Sequence, residues 1–132
     1  MEKRTKTNEL RFAVCDKNPQ ENELAARFIS EFYKKESKRT EIQQFDDTEE
    51  VIDAFRRQTG FSAVFIGMNS MNEVDTAWIL RKLAPRCPLV IMSDCGDYSL
   101  EGYRLEAFDY WLKPFDEKRI NTTLERLKEA AL

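Results

Sequence analysis

Histidine is absent from this 132-residue chain. Imidazole general-base catalysis, His-ligated metal and phosphohistidine chemistry are therefore excluded. The groups that remain chemically useful sit in short polar steps directly after apolar runs: Asp16-Lys17, Gly67-Met68, Ser93-Asp94 and Lys113-Pro114. Carboxylate, hydroxyl and ammonium groups in such positions are what a protein uses to hold a cation or an oxyanion. Cys15, Cys87 and Cys95 are unevenly spaced and form no CxxC. They are expected to be free thiols in a reducing compartment, not a disulfide or a zinc site. No cofactor or metal is expected. The chain has four glycines and no glycine motif for a nucleotide, and the loop Asp16–Gln20 lacks the Ser/Thr/Gly-rich cradle of a flavin phosphate.

These steps need elements to position them. Leu10–Cys15 is a short β-type run, and Asn18 and Pro19 then offer a helix N-cap and first helical position. Leu24, Ala25, Phe28, Ile29 and Phe32 follow at helical spacing. Thr40–Phe45 alternates like an edge strand. Asp46, Asp47 and Thr48 are candidate caps for a helix whose apolar face is Val51, Ile52, Ala54 and Phe55. Phe61–Gly67 and Pro88–Met92 are continuous apolar runs, as expected of strands buried on both faces. Between them a helix carries Val74, Ala77, Trp78, Leu80 and Leu83. A shorter helix around Tyr98–Leu105, a strand Phe108–Leu112 and a final helix over about 116–131 complete the chain.

Five strand-then-helix units with short connections predict an α/β doubly wound fold: a five-stranded parallel sheet with helices on both faces. Residues 1–9 are expected to be a flexible lead-in and 10–131 a single domain. In such sheets the reactive site lies beyond the carboxyl ends of the strands, where the four polar steps fall. Lys plus Arg number 21 and Asp plus Glu 24, a net charge of −3. A mildly acidic domain is a poor general nucleic-acid binder, so DNA contact is expected only through a separate output domain. No apolar run approaches the ~20 residues of a membrane span, and the charged start is not followed by a signal-peptide core. The expectation is a cytoplasmic protein without membrane contact.

The five-unit plan, Asp16 after the first strand, Ser93 after the fourth and Lys113-Pro114 after the fifth resemble the receiver domain of a bacterial response regulator, the (βα)5 flavodoxin-like architecture. Tyr98–Tyr103 and Ala107–Pro114 are similar to receivers attached to LytTR-type DNA-binding domains, and the resemblance spans about residues 10–130. It implies a two-component phosphorelay in which an acidic pair and an acceptor aspartate hold magnesium during phosphoryl transfer, while a hydroxyl and a lysine hold the phosphoryl oxygens. Asp16 matches the first acidic position and Lys17 stands at the second. Ser93 matches the hydroxyl, Lys113 the lysine, and Tyr110 the aromatic switch residue. Gly67 takes the acceptor position, or Phe65 does in a gapless alignment, and neither has a nucleophile.

The departures at Gly67 and Lys17 lead to the expectation of a degenerate receiver, a pseudo-receiver without enzymatic activity. Its function would be phosphorylation-independent signalling through the fourth helix, fifth strand and fifth helix, with Tyr98, Tyr103, Tyr110 and Trp111 as contacts to a protein partner or a second copy in a homodimer. In the degenerate site Lys113 is expected to pair with Asp16. Lys17 is expected to pair with Asp16, to fill the vacated metal position or to lie on the surface. Asp97 is expected to cap the short helix. The alternative function is a sensor of a small anion or metabolite, bound in the vacated pocket near Lys17 and Lys113.

Overall fold

A computed structural model describes residues 9–58 and 60–130. Its elements are β1 (Glu9–Cys15), α1 (Pro19–Lys35), β2 (Arg39–Phe45), α2 (Thr48–Arg57), β3 (Ala63–Gly67), α3 (Met71–Leu83), β4 (Leu89–Ser93), α4 (Ser99–Arg104), β5 (Asp109–Leu112) and α5 (Glu117–Ala130). The strands form one sheet in the order β2-β1-β3-β4-β5, and every pairing is parallel. This is the doubly wound fold expected from the alternation of elements. Most of the lead-in expected over residues 1–9 lies outside the described residues; Glu9 itself already belongs to β1.

Strand periodicity divides the core into two layers. Phe12 and Val14 of β1, Ala63 and Phe65 of β3, and Val90 and Met92 of β4 face α1 and α5, where Ile29, Tyr33, Ile120 and Leu124 meet them. Ala13, Cys15, Val64, Ile66, Leu89 and Ile91 face the opposite way, toward Val51 and Phe55 of α2 and Val74, Ala77 and Leu80 of α3. β3 and β4 are buried throughout, which is why they read as unbroken apolar runs. β2 is an edge strand with no fully buried residue. Its exposure alternates from Arg39 to Ile42, as for one covered face, and the phase slips at Gln43, which is half-buried like Ile42.

The N-cap of α1 is Asn18, whose side chain accepts from the N–H groups of Gln20 and Glu21. Of the three candidate caps before α2, Asp47 is the one used, accepting from Glu49 N–H. α4 is a six-residue helix with Tyr98 at its N-cap and no side-chain cap hydrogen bond. The capping role expected of Asp97 is therefore not realised. The order of the strands reverses between β1 and β3, so the crevice of the fold opens at their carboxyl ends. That is where Asp16 and Gly67 lie.

Candidate functional site

Cys15 pairs with Ile66 across β1 and β3, so Asp16, one step further, stands opposite Gly67. The Asp16 carboxylate leans over the glycine. A Cβ built on Gly67 would fall 2.5 Å from Asp16 Oδ2 and 2.6 Å from its Cγ. The carboxylate thus occupies the volume that any side chain at position 67 would need. It is buried and held at both oxygens: Oδ1 accepts the Asn18 N–H at 3.0 Å, and Oδ2 accepts from Lys113 Nζ at 2.8 Å. The expected pairing of Lys113 with Asp16 is thus present, and Asp16 also closes the turn that leads into α1.

Lys113 reaches this point from the end of β5, with its side chain only 5% exposed. Its ammonium meets a second carboxylate, Glu21 Oε1, at 2.5 Å. Burial opposes the charge on Lys113, but hydrogen bonds to Asp16 and Glu21 outweigh it and raise its pKa above the ordinary 10.5. The main chain of Asp16 is tied to β2 as well. Its N–H donates to Phe45 O at 3.1 Å, and Asn22 Nδ2 bridges Asp16 O and Phe45 O at 3.1 and 2.8 Å.

Lys17 does not join this cluster. It turns outward, 58% exposed, and its ammonium lies 3.4 Å from Glu73 Oε2. Neither the pairing with Asp16 nor the occupation of the metal position is realised, because the chain turns at residues 16–18 and directs successive side chains apart. The buried neighbour of Asp16 is instead Cys15. Its thiol is pushed up to about 12 by burial and by the nearby charges of Asp16, Glu73, Asp47 and Asp46. Glu73, at the third position of α3, is buried and accepts from Ser70 Oγ at 2.7 Å and Asn69 N–H at 3.2 Å. Burial raises its pKa, but these bonds and Lys17 win and hold it below 4.5. Glu21 and Glu73 are the two site carboxylates that sequence reasoning missed. Both sit in the first turn of a helix, where acidic residues are common for reasons of the dipole alone.

Ser93 is fully buried at the end of β4. Its hydroxyl accepts the Cys95 N–H at 3.4 Å, and its carbonyl accepts the Lys113 N–H at 2.8 Å. Tyr110 points inward, packs against the α2–α3 layer of the core and donates from its hydroxyl to Cys95 O at 2.9 Å. Gly102 of α4 permits this approach: a Cβ there would lie 3.1 Å from Ile91 Cδ1 and 3.4 Å from Tyr110 Cδ2.

Trp111 is not a surface contact. It is 1% exposed, its ring tilted against Phe65 and edge-on to Phe115, and its indole N–H donates to Thr123 Oγ1 at 2.9 Å. Tyr110 and Trp111 are consecutive on β5, so they enter opposite layers of the core. Tyr98 is half-buried, while Tyr103, Leu100 and Leu112 are exposed. A groove of about 640 Å³ runs between α4 and α5 over β5, lined by Tyr103, Phe108, Tyr110, Leu112 and Arg119 among others. Arg119 is held across it by Asp109 at 2.6 Å.

No protein-family model matches the chain. Among curated proteins it is 31% identical over 109 residues to the transcriptional regulatory protein YpdB of Escherichia coli K12, covering 81% of this chain and 44% of that protein. It is 30% identical over the same length to protein MrkE of Klebsiella pneumoniae, covering 40% of it. The chain thus spans less than half the length of these relatives. Among solved structures, the response regulatory domain of MrkE from Klebsiella pneumoniae superposes with a TM-score of 0.81 at 25% identity, covering 92% of this chain and 98% of that domain. A response regulator receiver domain protein from Clostridium thermocellum shares the fold with a TM-score of 0.77 at 14% identity. The 2-1-3-4-5 parallel sheet and the sequence relationship to the amino-acid stretch shared by these regulators lead to one assignment: the chain is a receiver domain of the response-regulator family.

Proposed function

We propose that this receiver signals without being phosphorylated, as a protein-interaction module and not as an enzyme. The observation that carries the reading is the seat of the Asp16 carboxylate. It lies over Gly67, where a Cβ would come within 2.5 Å, and is pinned there by Lys113. Position 67 brings no carboxylate to accept a phosphoryl group. The residues at the strand ends also do not fit magnesium. That ion takes about six oxygen ligands, whereas Asp16 already holds a backbone N–H and an ammonium. Among the described residues no group of three or more His, Cys, Asp or Glu is placed to hold a metal ion. Lys113 supplies in place the positive charge that a cation would bring, and Asp16, Glu21, Ser93 and Lys113 form a structural cluster that joins β1, α1, β4 and β5.

The output surface in this reading is α4, β5 and α5. The inward Tyr110, bonded to Cys95 O, sets the position of the β4–α4 connection. The exposed Leu100, Tyr103 and Leu112 offer the contact to a partner or a tethered output domain. In this reading any DNA contact belongs to a separate output domain, since a domain of net charge −3 is a poor general nucleic-acid binder. The sensor alternative draws no support from the geometry: Lys113 is taken by two carboxylates, and Lys17 turns outward to Glu73.

The test is incubation of the chain with a small phosphodonor and magnesium, followed by intact-mass measurement. The mass is expected to stay unchanged. A stable phosphoryl adduct that maps to Asp16 or any other aspartate would overturn the reading.

A further inference from the structure

We infer that the outer face of α3 is a self-association surface, on which two copies of this chain pair their α3 helices antiparallel about a two-fold axis. The inference is independent of the phosphorylation reading and concerns a different face from α4, β5 and α5. α3 is the most apolar and least one-sided of the long helices. Val74, Ala77 and Leu80 turn into the core, yet Met71, Trp78, Ile79 and Leu83 remain exposed, Met71 at 59%. Seven of its thirteen residues are apolar, and an exposed apolar cluster on an outer helix face marks an interaction site.

The charges on α3 identify the occupant. Glu73 is turned inward to Ser70 and Lys17. Arg81 is spent on the carbonyls of Leu105, Pro85 and Cys87 at 3.0, 3.1 and 2.8 Å. Asp75 and Lys82 are left as outward charges, and neither has an ion-pair partner among the described residues. They are seven residues apart, about 10 Å along the helix, too far to pair with each other. Two other helices pair some of their charges internally, Asp53–Arg56 on α2 and Glu125–Lys128 on α5.

A two-fold axis passing between Trp78 and Ile79 solves the problem. It sets Asp75 of one copy against Lys82 of the other, twice, and brings Trp78 and Ile79, which flank these charges on opposite sides of the helix face, each against its own counterpart in the second copy. The face is thus self-complementary in charge and in apolar content, as a closed two-fold interface requires. Its size sets the strength. A 13-residue helix is about 20 Å long, so the contact falls in the small, weak class of interfaces. Dissociation is expected on the order of 0.1 mM.

Sedimentation velocity of the chain, across concentrations bracketing that value, reads the result. The wild type is expected to shift from monomer to dimer, and Trp78→Glu to remain monomeric. Asp75→Lys and Lys82→Asp are each expected to remain monomeric alone, to pair with each other when mixed, and to regain self-association when combined in one chain. Circular dichroism of each variant separates loss of pairing from loss of fold. A wild type that stays monomeric throughout would overturn the inference. So would a dimer that survives Trp78→Glu, or a charge-swapped double variant that folds but does not associate.

Discussion

A methyl group at position 67 would begin 2.5 Å from Asp16 Oδ2, and the carboxylate cannot swing away without leaving both Lys113 and the Asn18 N–H. Gly67→Ala is therefore expected to destabilise the fold by about 1–3 kcal/mol through overpacking, measured by urea unfolding. Gly67→Asp is expected to cost at least as much and to gain no phosphoryl adduct, because the new carboxylate arrives where Asp16 already sits. The opposite deletion tests the clamp. Lys113→Met strands the buried Asp16 charge and is expected to cost about 3–5 kcal/mol. The double variant Asp16→Asn, Lys113→Met is expected to cost clearly less than the sum of its singles, because they share one interaction. Strict additivity would mean that the 2.8 Å contact carries no coupling. Lys113 and Asp16 could be paired from sequence because each directly follows a strand. The outward turn of Lys17 could not, since a one-residue change of direction in a loop leaves no periodicity to read.

Elements were legible where their patterns were long. Continuous apolar runs gave β3 and β4, alternation gave β2 as an edge, and helical spacing gave α1, α2, α3 and α5, with ends displaced by one or two residues. β5 was the difficult case. It has four residues, and its two consecutive aromatics look alike as surface contacts until the layers on both sides of the sheet are known. Trp111 goes to α1 and α5, and Tyr110 goes beneath α4. This makes Tyr110 the link between β5 and the β4–α4 connection. Tyr110→Phe removes its bond to Cys95 O while keeping the ring, and is expected to cost about 1 kcal/mol. Amide exchange over residues 95–102 is expected to accelerate, with β1 and β3 unaffected. Exchange that stays unchanged over that connection would show that the hydroxyl does not anchor it.

At the scale of the whole molecule, the buried charges bound a pH range of stability. Glu73 and Asp109 have depressed pKa values. Burial opposes the shift in both, and it is outweighed by the Ser70 and Asn69 bonds with Lys17 in the first, and by Arg119, Thr123 and the Tyr110 N–H in the second. A depressed carboxylate stabilises the fold above its unfolded value, here 4.5 and 3.8, and that contribution disappears as the pH falls through the folded value. The raised groups act in the opposite direction. Cys15 and Cys87 move from 9.0 to about 12 and about 11, both chiefly by burial. Their contribution is complete below 9.0 and lost as the pH climbs toward the folded values, while that of Lys113 is lost only above 10.5. Stability is thus expected to be flat from about pH 4.5 to 9 and to fall on either side. The two falls have different owners. Urea midpoints measured against pH should show a shallower acid limb in Glu73→Gln with the alkaline limb unchanged. Lys113→Met should keep the onset near 9 and lose slope only above 10.5. An acid limb equally steep in Glu73→Gln and wild type would mean that the buried carboxylate beside Lys17 does not control acid unfolding.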